Sequence, residues 1–182
     1  YNKRSNDMYS SIASHCDSII QNIPGPTAVF FPSYAIRNAV LGYFSKLSAR
    51  KIMIEQSGMS TNEKQGMLDQ LANSKDGVLF GVSAGSFGEG VDMPGVLKGV
   101  IIAGLPLTRP DLETQGLIDL YQSKFGKGWE YGYTLPAMSK VTQNAGRCIR
   151  SETDKGVIVL LEERFGWPTY KQSLPKDWNI EI

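Results

Sequence analysis

Short apolar runs that alternate with segments of helical periodicity constrain the fold of this chain more than any other feature of its sequence. The runs span residues 27–31, 51–55, 77–82, 97–104 and 156–161. Each has the length of a strand, and glycine, proline or polar residues follow within two positions. Strands separated by helices form parallel sheets that helices cover on both faces. The sequence therefore predicts an α/β fold with a mostly parallel sheet in a three-layer α/β/α arrangement.

The segments between the runs carry apolar residues at helical spacing. The predicted helices span residues 5–21, 34–47, 60–71, 112–125 and 136–150. Ser60 and Glu63 have the spacing of a capping box, and Pro136 suits the first turn of a helix. At 182 residues the chain is long enough for a single well-buried domain, 1–182. We expect residues 166–182 to form a tail whose aromatic side chains fold back onto that domain.

Composition excludes several kinds of site. The net charge is +1, so any nucleic-acid binding must be confined to a local surface. With one histidine, His15, and with Cys16 and Cys148 far apart, we expect neither a metal site nor histidine-centred acid–base chemistry. No apolar run approaches the length of a membrane span, and the absence of a signal peptide indicates an intracellular, soluble protein. Because the first residue is Tyr1, we expect the chain to be part of a longer protein.

Residues 143–150, Gln-Asn-Ala-Gly-Arg-Cys-Ile-Arg, carry the most informative polar pattern. On a helix that begins at Pro136, Gln143, Arg147 and Arg150 lie within about 60° of one another, opposite an apolar face. We expect these side chains to point away from the core, where the planar arginine fork suits phosphate binding. A solvated basic face is the simpler alternative for such an arginine pair. The glycine before Arg147 costs helix stability, however, and indicates that another group approaches closely.

Polar residues also follow the first predicted strand. Ser33 and Tyr34 come directly after residues 27–31 and Pro32. The carboxyl ends of parallel strands are where open α/β sheets bind ligands. An N-cap at Ser33 and a packed Tyr34 form an equally good interpretation of these two residues.

Residues 83–92, Ser-Ala-Gly-Ser-Phe-Gly-Glu-Gly-Val-Asp, form a glycine-rich loop after the third predicted strand. Glycines let backbone N–H groups approach phosphate, and serine hydroxyls add donors. The order of the glycines is the reverse of a dinucleotide-binding fingerprint. A single glycine-rich loop is more often an ordinary turn, so this loop does not assign a function by itself.

Several stretches resemble the XPD/DinG branch of superfamily-2 helicases. Gln-x-x-Gly-Arg-x-x-Arg at 143–150 resembles the last helicase motif, the arginine-finger motif, and the similarity continues to Glu162, Arg164 and Phe165. Phe-Phe-Pro-Ser-Tyr at 30–34 resembles the fourth motif of that branch. Glu-Gly-x-Asp at 89–92 resembles its motif V, and Gly-Leu-Pro-Leu at 104–107 also matches. The resemblance spans most of the chain.

This resemblance implies a RecA-like fold and the second motor domain of an ATP-dependent DNA helicase that moves 5′→3′. It implies that Arg147 and Arg150 act as arginine fingers on ATP with Gln143 beside them, and that Gly90 and Asp92 lie near the nucleotide. The residues that it assigns to contacts with single-stranded DNA are Ser33, Tyr34, Ser83, Gly85, Ser86 and Glu89.

The chain contains no P-loop sequence, Gly-x-x-x-x-Gly-Lys-[Ser/Thr]. Residues 157–163 resemble a strand that ends in Mg²⁺-binding carboxylates, but we interpret them as the last core strand. The resemblance therefore implies that an N-terminal motor domain of the same protein binds most of the ATP and Mg²⁺ and carries any iron–sulfur cluster. We expect this chain alone to be inactive, with a cytoplasmic location, or a nuclear one in a eukaryote.

Two alternatives stay open from the sequence. The first is a stand-alone nucleic-acid-binding RecA-like module without ATPase coupling, and the second is an unrelated α/β enzyme that binds a small phosphate ligand at the glycine-rich loop. The arginine motif argues against the first, and the lack of a nucleophile–base pair argues against the second. Basic and aromatic side chains alternate in and beside the predicted loop 126–132. They either form the solvent-exposed rim of the domain or make a further contact with single-stranded nucleic acid: Lys124, Lys127, Trp129 and Tyr131.

Overall fold

In the computed structural model, which describes residues 5–88, 95–107, 109–149 and 154–181, five short strands form one sheet. The strands are β1 Thr27–Phe31, β2 Ile52–Ile54, β3 Val78–Val82, β4 Gly99–Ile102 and β5 Val157–Leu160. Their spatial order is β2-β3-β1-β4-β5, and every pairing is parallel. The predicted parallel α/β sheet is therefore confirmed.

Helices precede the first strand, follow the last strand and separate most of the others. They are α1 Asn6–Gln21, α2 Tyr34–Leu47, α3 Thr61–Ala72, α4 Leu112–Phe125, α5 Leu135–Ala145 and α6 Pro168–Lys171, with a π-helical turn at Glu130–Thr134 and a 3₁₀ turn at Glu163–Gly166. Side-chain oxygens accept backbone N–H groups at the starts of α1 to α4, and Ser60 and Glu63 make the predicted capping box at α3.

Alternate residues of the central strands point to opposite faces of the sheet and form two separate cores. Ala28 and Phe30 of β1 pack with α3 and α5 on one face. Val29 and Phe31 of the same strand pack with α1 and α2 on the other face. Because successive strand side chains alternate, a strand buried on both faces must be apolar at every position, as β1 and β3 nearly are.

The end of α2 and the region before α5 differ from the sequence-based prediction. Leu47, which the helical spacing places inward, is half exposed. The predicted loop before α5 contains a π-helical turn that runs directly into α5 at Leu135. A β-carbon at Gly132 would lie within 2.8 Å of the Ile118 backbone, so the wider turn brings this glycine against α4.

The tail after β5 packs partly on the α3 and α5 side of the sheet. Leu174 is buried, and Tyr170, Trp178 and Ile180 contact the same core. Trp167, by contrast, is half exposed.

An aromatic cluster around Phe80 lies in the core on the α1 and α2 face of the sheet and offers a test of its packing. Phe80 is fully buried, with its ring centroid 5.2 Å from that of Phe31 and 4.8 Å from that of Phe44. We expect Phe80→Ala to lower the free energy of unfolding by about 3–5 kcal/mol in urea denaturation, because it leaves a cavity. Leu112→Ala is the control, since Leu112 is 93% exposed and its loss is expected to change stability by less than about 0.5 kcal/mol. Equal effects of the two substitutions would contradict this packing.

Candidate functional site

The carboxyl ends of the strands meet at one edge of the sheet, because all the strands are parallel. The segment after β3, residues 83–88, lies at this edge and is called the β3 loop below. It contains the first half of the glycine-rich stretch identified in the sequence. The side chains of Glu55, Asn144 and Arg147 form hydrogen bonds with it.

Glu55, directly after β2, holds the β3 loop from the inside. This side chain has no exposed surface. Its Oε2 accepts the N–H of Val82 at 2.8 Å, and its Oε1 accepts the N–H of Phe87 at 3.3 Å. A hydrogen bond to a charged group contributes about 1.5–3 kcal/mol, and a buried carboxylate is tolerated only where such bonds compensate for lost water. Glu55 therefore ties both ends of the loop to the end of β2.

The carboxylate of Glu55 explains the glycine at position 85. A β-carbon at Gly85 would lie 2.3 Å from Oε1 of Glu55, which is far inside van der Waals contact. Gly85 is therefore required because the loop closes around a side chain from another strand. The sequence assigned the glycine to phosphate approach instead.

Two side chains hold the β3 loop from the outside, one in the last turn of α5 and one just after the helix. Asn144 has no exposed surface, and its Nδ2 donates to the carbonyl of Ser83 at 3.1 Å. Nη2 of Arg147 donates to the carbonyl of Gly88 at 2.9 Å. The arginine motif and the glycine-rich loop, which the sequence treated as separate motifs, are thus in direct contact.

The placement of the arginine motif corrects the expectation from helical spacing. Helix α5 ends at Ala145, with Gly146 as its C-cap, so no continuous helix carries Gln143 and Arg147 together to Arg150. Arg147 is only 7% exposed, whereas Gln143 is exposed. Arg147 does not point away from the core, because the chain turns after Ala145 and directs its guanidinium under the β3 loop.

The apolar face predicted for this segment is confirmed except at its end. Met138, Val141, Ala145 and Cys148 are buried, but Ile149 is 43% exposed. The exposure follows from the same turn, since Ile149 no longer lies on the helical face that contacts the sheet.

Ser33 is the N-cap of α2 and Tyr34 is its first residue, close to the Glu55 side chain. Oγ of Ser33 accepts the N–H of Ile36 at 3.4 Å, so the capping interpretation is correct for this serine. The buried Arg37 lies 4.9 Å from the centre of the Tyr34 ring and donates to the carbonyl of Glu55. Burial and the Glu55 charge raise the pKa of the Tyr34 hydroxyl above its usual value.

The remaining predicted site residues fall into two groups. Ser83 is fully buried and Gly85 is buried, whereas Ser86 is half-buried on the β3 loop. Four others lie outside the described residues: Glu89, Gly90, Asp92 and Arg150.

A second carboxylate, that of Glu162 just after β5, also holds a loop at the carboxyl edge of the sheet, as Glu55 does just after β2. Oε2 of Glu162 accepts the N–H of Leu105 at 2.7 Å, and Oε1 accepts a hydrogen bond from Arg164. This ties the loop after β4 to the end of β5, in agreement with a structural interpretation of these acidic residues. Within the described ranges, no cluster of three metal-binding side chains occurs, and no helix has the length and hydropathy of a membrane span.

Sequence reasoning missed Glu55, Arg37 and Asn144. The sequence held one signal for Glu55, which directly follows the three apolar residues of β2. A glutamate that is buried at the end of such a strand needs hydrogen bonds that compensate for its lost water. Arg37 and Asn144 occupy helices in which a charged or amide side chain is ordinarily solvent-facing. Their roles depend on partners distant in the chain, which periodicity does not identify.

Comparison with known proteins assigns the family. The helicase C-terminal domain family matches residues 16–181, which is nearly the whole chain. This chain belongs to the helicase C-terminal domain family. The assignment agrees with the resemblance carried by residues 143–150 and does not favour a stand-alone binding module or an unrelated phosphate-binding enzyme.

Individual relatives of the helicase domain are similar over most of this chain. It is 32% identical over 97% of its length to a regulator of telomere elongation helicase 1 homolog of Drosophila mojavensis, and spans 19% of that protein. It is 33% identical over 81% of its length to an ATP-dependent DNA helicase DinG of Photobacterium profundum, and spans 23% of that protein. The chain thus spans about a fifth of the length of these curated relatives.

A solved structure supports the fold of the helicase domain. A structure of an XPD helicase matches 95% of this chain and 31% of its own, with a TM-score of 0.76 and 24% sequence identity. The predicted RecA-like fold is confirmed by this match.

The contact between Gly85 and Glu55 generates a testable prediction. We expect Gly85→Ala to destabilise the chain by about 1–3 kcal/mol, because the added methyl group displaces a buried carboxylate that holds two amides. The readouts are urea denaturation and hydrogen exchange at the Val82 and Phe87 amides, which should become faster.

The matched control for Gly85→Ala is Gly66→Ala, on α3. A β-carbon at Gly66 meets nothing within 4 Å, so this substitution should stabilise the helix by up to about 1 kcal/mol. If Gly85→Ala also raised the stability, the carboxylate would not occupy the space that the structure gives it.

Proposed function

We propose that this chain is the second motor domain of an ATP-dependent, XPD/DinG-like DNA helicase. The observation that carries the proposal is the hydrogen bond from Arg147 to the carbonyl of Gly88. It places the arginine motif and the glycine-rich loop in one unit at the carboxyl edge of the sheet. Open α/β sheets bind ligands at this edge.

Arg147 and Arg150 serve as arginine fingers in this proposal. ATP and Mg²⁺ bind mainly to the N-terminal motor domain of the parent protein, which supplies the P-loop lysine and the Mg²⁺ carboxylate. The fingers reach the γ-phosphate across the interface between the domains, with Gln143 beside them, and stabilise the charge that develops during phosphoryl transfer. Gly90 and Asp92 lie near the nucleotide. Any iron–sulfur cluster belongs to the rest of the parent protein.

Single-stranded DNA follows the carboxyl edge of the sheet in this proposal, and the enzyme moves 5′→3′ along it. Tyr34, Ser86 and Glu89 contact the strand directly, and Ser33 contributes a backbone position at the start of α2. The burial of Ser83 and Gly85 supports a different part for them, which is to shape the β3 loop. DNA as substrate implies an intracellular location, cytoplasmic or nuclear.

The fingers are tested by ATP turnover in the full-length parent. We expect Arg147→Ala and Arg150→Ala each to lower DNA-stimulated phosphate release by about 10³-fold, the scale measured for arginine fingers. Arg147→Lys should fail similarly, because lysine keeps the charge but loses the planar fork.

Thermal denaturation is the necessary companion measurement, because Arg147 is buried and its loss removes a hydrogen bond worth about 1–3 kcal/mol. Lys140→Ala on the same helix is a suitable comparison outside the proposed finger set. The assignment fails if Arg150→Ala retains ATP turnover but loses DNA affinity, since that places this face in the nucleic-acid groove.

The strand contacts are tested by binding of a fluorescent oligothymidine to the parent protein. We expect Tyr34→Phe and Ser86→Ala each to weaken binding about two- to tenfold, because each removes one hydrogen bond of about 0.5–1.5 kcal/mol. Tyr43→Phe is the matched control, since Tyr43 is a half-buried tyrosine near the other end of α2. Unchanged affinity in both test variants would remove these residues from the strand-binding surface.

A further inference from the structure

Asn144 is a buried carboxamide that the proposed site leaves unexplained. It lies in the last turn of α5, one position after Gln143 and three before Arg147. Its Nδ2 donates to the carbonyl of Lys140 at 2.8 Å and to the carbonyl of Ser83 at 3.1 Å. The side chain therefore joins α5 to the first residue of the β3 loop.

The other polar atom of the Asn144 side chain, Oδ1, makes asparagine less favourable at this buried position than an apolar residue of similar size. Its Oδ1 is buried and has no hydrogen-bond partner among the described residues. A buried acceptor without a partner costs about 1–3 kcal/mol, and a leucine of similar shape would avoid that cost. A leucine, however, has no N–H group to donate to Ser83. The hydrogen bond from Nδ2 to the Ser83 carbonyl thus explains why a carboxamide occupies this position.

The β3 loop closes directly against Asn144. A β-carbon at Gly88 would lie 2.5 Å from the carbonyl oxygen of Ser83 and 2.9 Å from Oδ1 of Asn144. The last residue of the loop is therefore packed on the first, with the carboxamide beside both. The Gly88 carbonyl in turn accepts the hydrogen bond from Arg147. The contact of Asn144 with Ser83 therefore helps to fix the position of the Gly88 carbonyl, which is the acceptor for Arg147.

The inner support of the loop does not depend on α5. Glu55 holds the amides of Val82 and Phe87 from the β2 side, through bonds that do not involve Asn144. Loss of the Asn144 contact thus leaves the loop attached to the sheet through Glu55 and to Arg147 through Gly88, and removes its bond to α5 at Ser83. The bonds from Glu55 can therefore keep the loop folded when its bond to Asn144 is lost.

We propose that Asn144 is a positioning residue that couples DNA binding to ATP turnover, an inference that rests on the proposed function. Asn144 touches neither ligand. It keeps the loop that carries Ser86 and the turn that carries Arg147 in one arrangement, so that a strand bound at the loop aligns the arginine with ATP. Without its N–H donor, the loop loses its attachment to α5 at Ser83, and the bond from Arg147 to the Gly88 carbonyl loses the support of that attachment.

The test measures ATP turnover of the full-length parent with and without a saturating synthetic oligothymidine. In Asn144→Leu, we expect the ratio of the two rates to fall at least about tenfold, which corresponds to about 1.4 kcal/mol of transition-state stabilisation. Turnover without DNA and the KM for ATP should stay within about twofold of the wild-type values. The ratio isolates coupling, because a loss of folded enzyme lowers both rates equally.

A second variant opens the same closure from the loop side. Gly88→Ala places a methyl group against Ser83 and Asn144 without altering α5, and we expect the same loss of stimulation. Asn73→Leu is the matched control for the carboxamide, because Nδ2 of Asn73 also donates to the carbonyl four residues earlier, that of Asp69, at 2.8 Å. Gly42→Ala is the control for the glycine, since a β-carbon there meets nothing within 4 Å. Both controls should keep the wild-type ratio.

The outcomes distinguish this inference from the function on which it rests. A parent protein with no DNA-stimulated turnover overturns the proposed function and the role of Asn144 with it. A stimulated parent in which both variants keep the wild-type ratio overturns only the role of Asn144. Variants that leave no folded protein, or that lower both rates equally, assign the contact to stability and overturn the role as well.

Discussion

The buried carboxylate of Glu55 is the interaction on which the functional edge of this domain depends. A charge without exposed surface is strongly destabilising unless hydrogen bonds replace its water, and here the backbone amides of Val82, at the end of β3, and of Phe87, in the β3 loop, do so. The requirement works in both directions. The carboxylate needs the loop to close around it, and the loop needs a glycine at position 85 to make room for the carboxylate.

The outer edge is built by the same principle from different elements. Asn144 in α5 and Arg147 just after it hold two carbonyls of the β3 loop, and Glu162 holds the loop after β4 from beyond β5. Loops at the carboxyl ends of parallel strands have no ladder partners beyond the last strand residue. Side chains from distant segments supply those partners and thereby hold the loops in fixed positions relative to the sheet.

This arrangement changes how the arginine motif is understood. A helix continuing to Arg150 would expose Arg147 as an independent finger, and substitution would then affect catalysis without affecting stability. Because α5 ends at Ala145, Arg147 is buried against the β3 loop, and its substitution is expected to affect both. The proposed role at ATP and the observed contact with Gly88 are compatible because a guanidinium carries five N–H donors, and Nη2 supplies the one that bonds to Gly88.

The sequence by itself determined the parallel sheet, the order of its elements along the chain and most helix boundaries, because these follow from apolar periodicity and capping residues that are local. Ser60 and Glu63 identified the start of α3 for that reason. The motifs at 30–34 and 143–150 likewise indicated the helicase family. The bonds that join Glu55, Asn144 and Arg147 to Val82 and the β3 loop were decided only by the tertiary structure, since these partners lie between 27 and 61 residues away in the chain. Local patterns report which face of an element is apolar. They do not report which distant backbone group a buried polar side chain must satisfy.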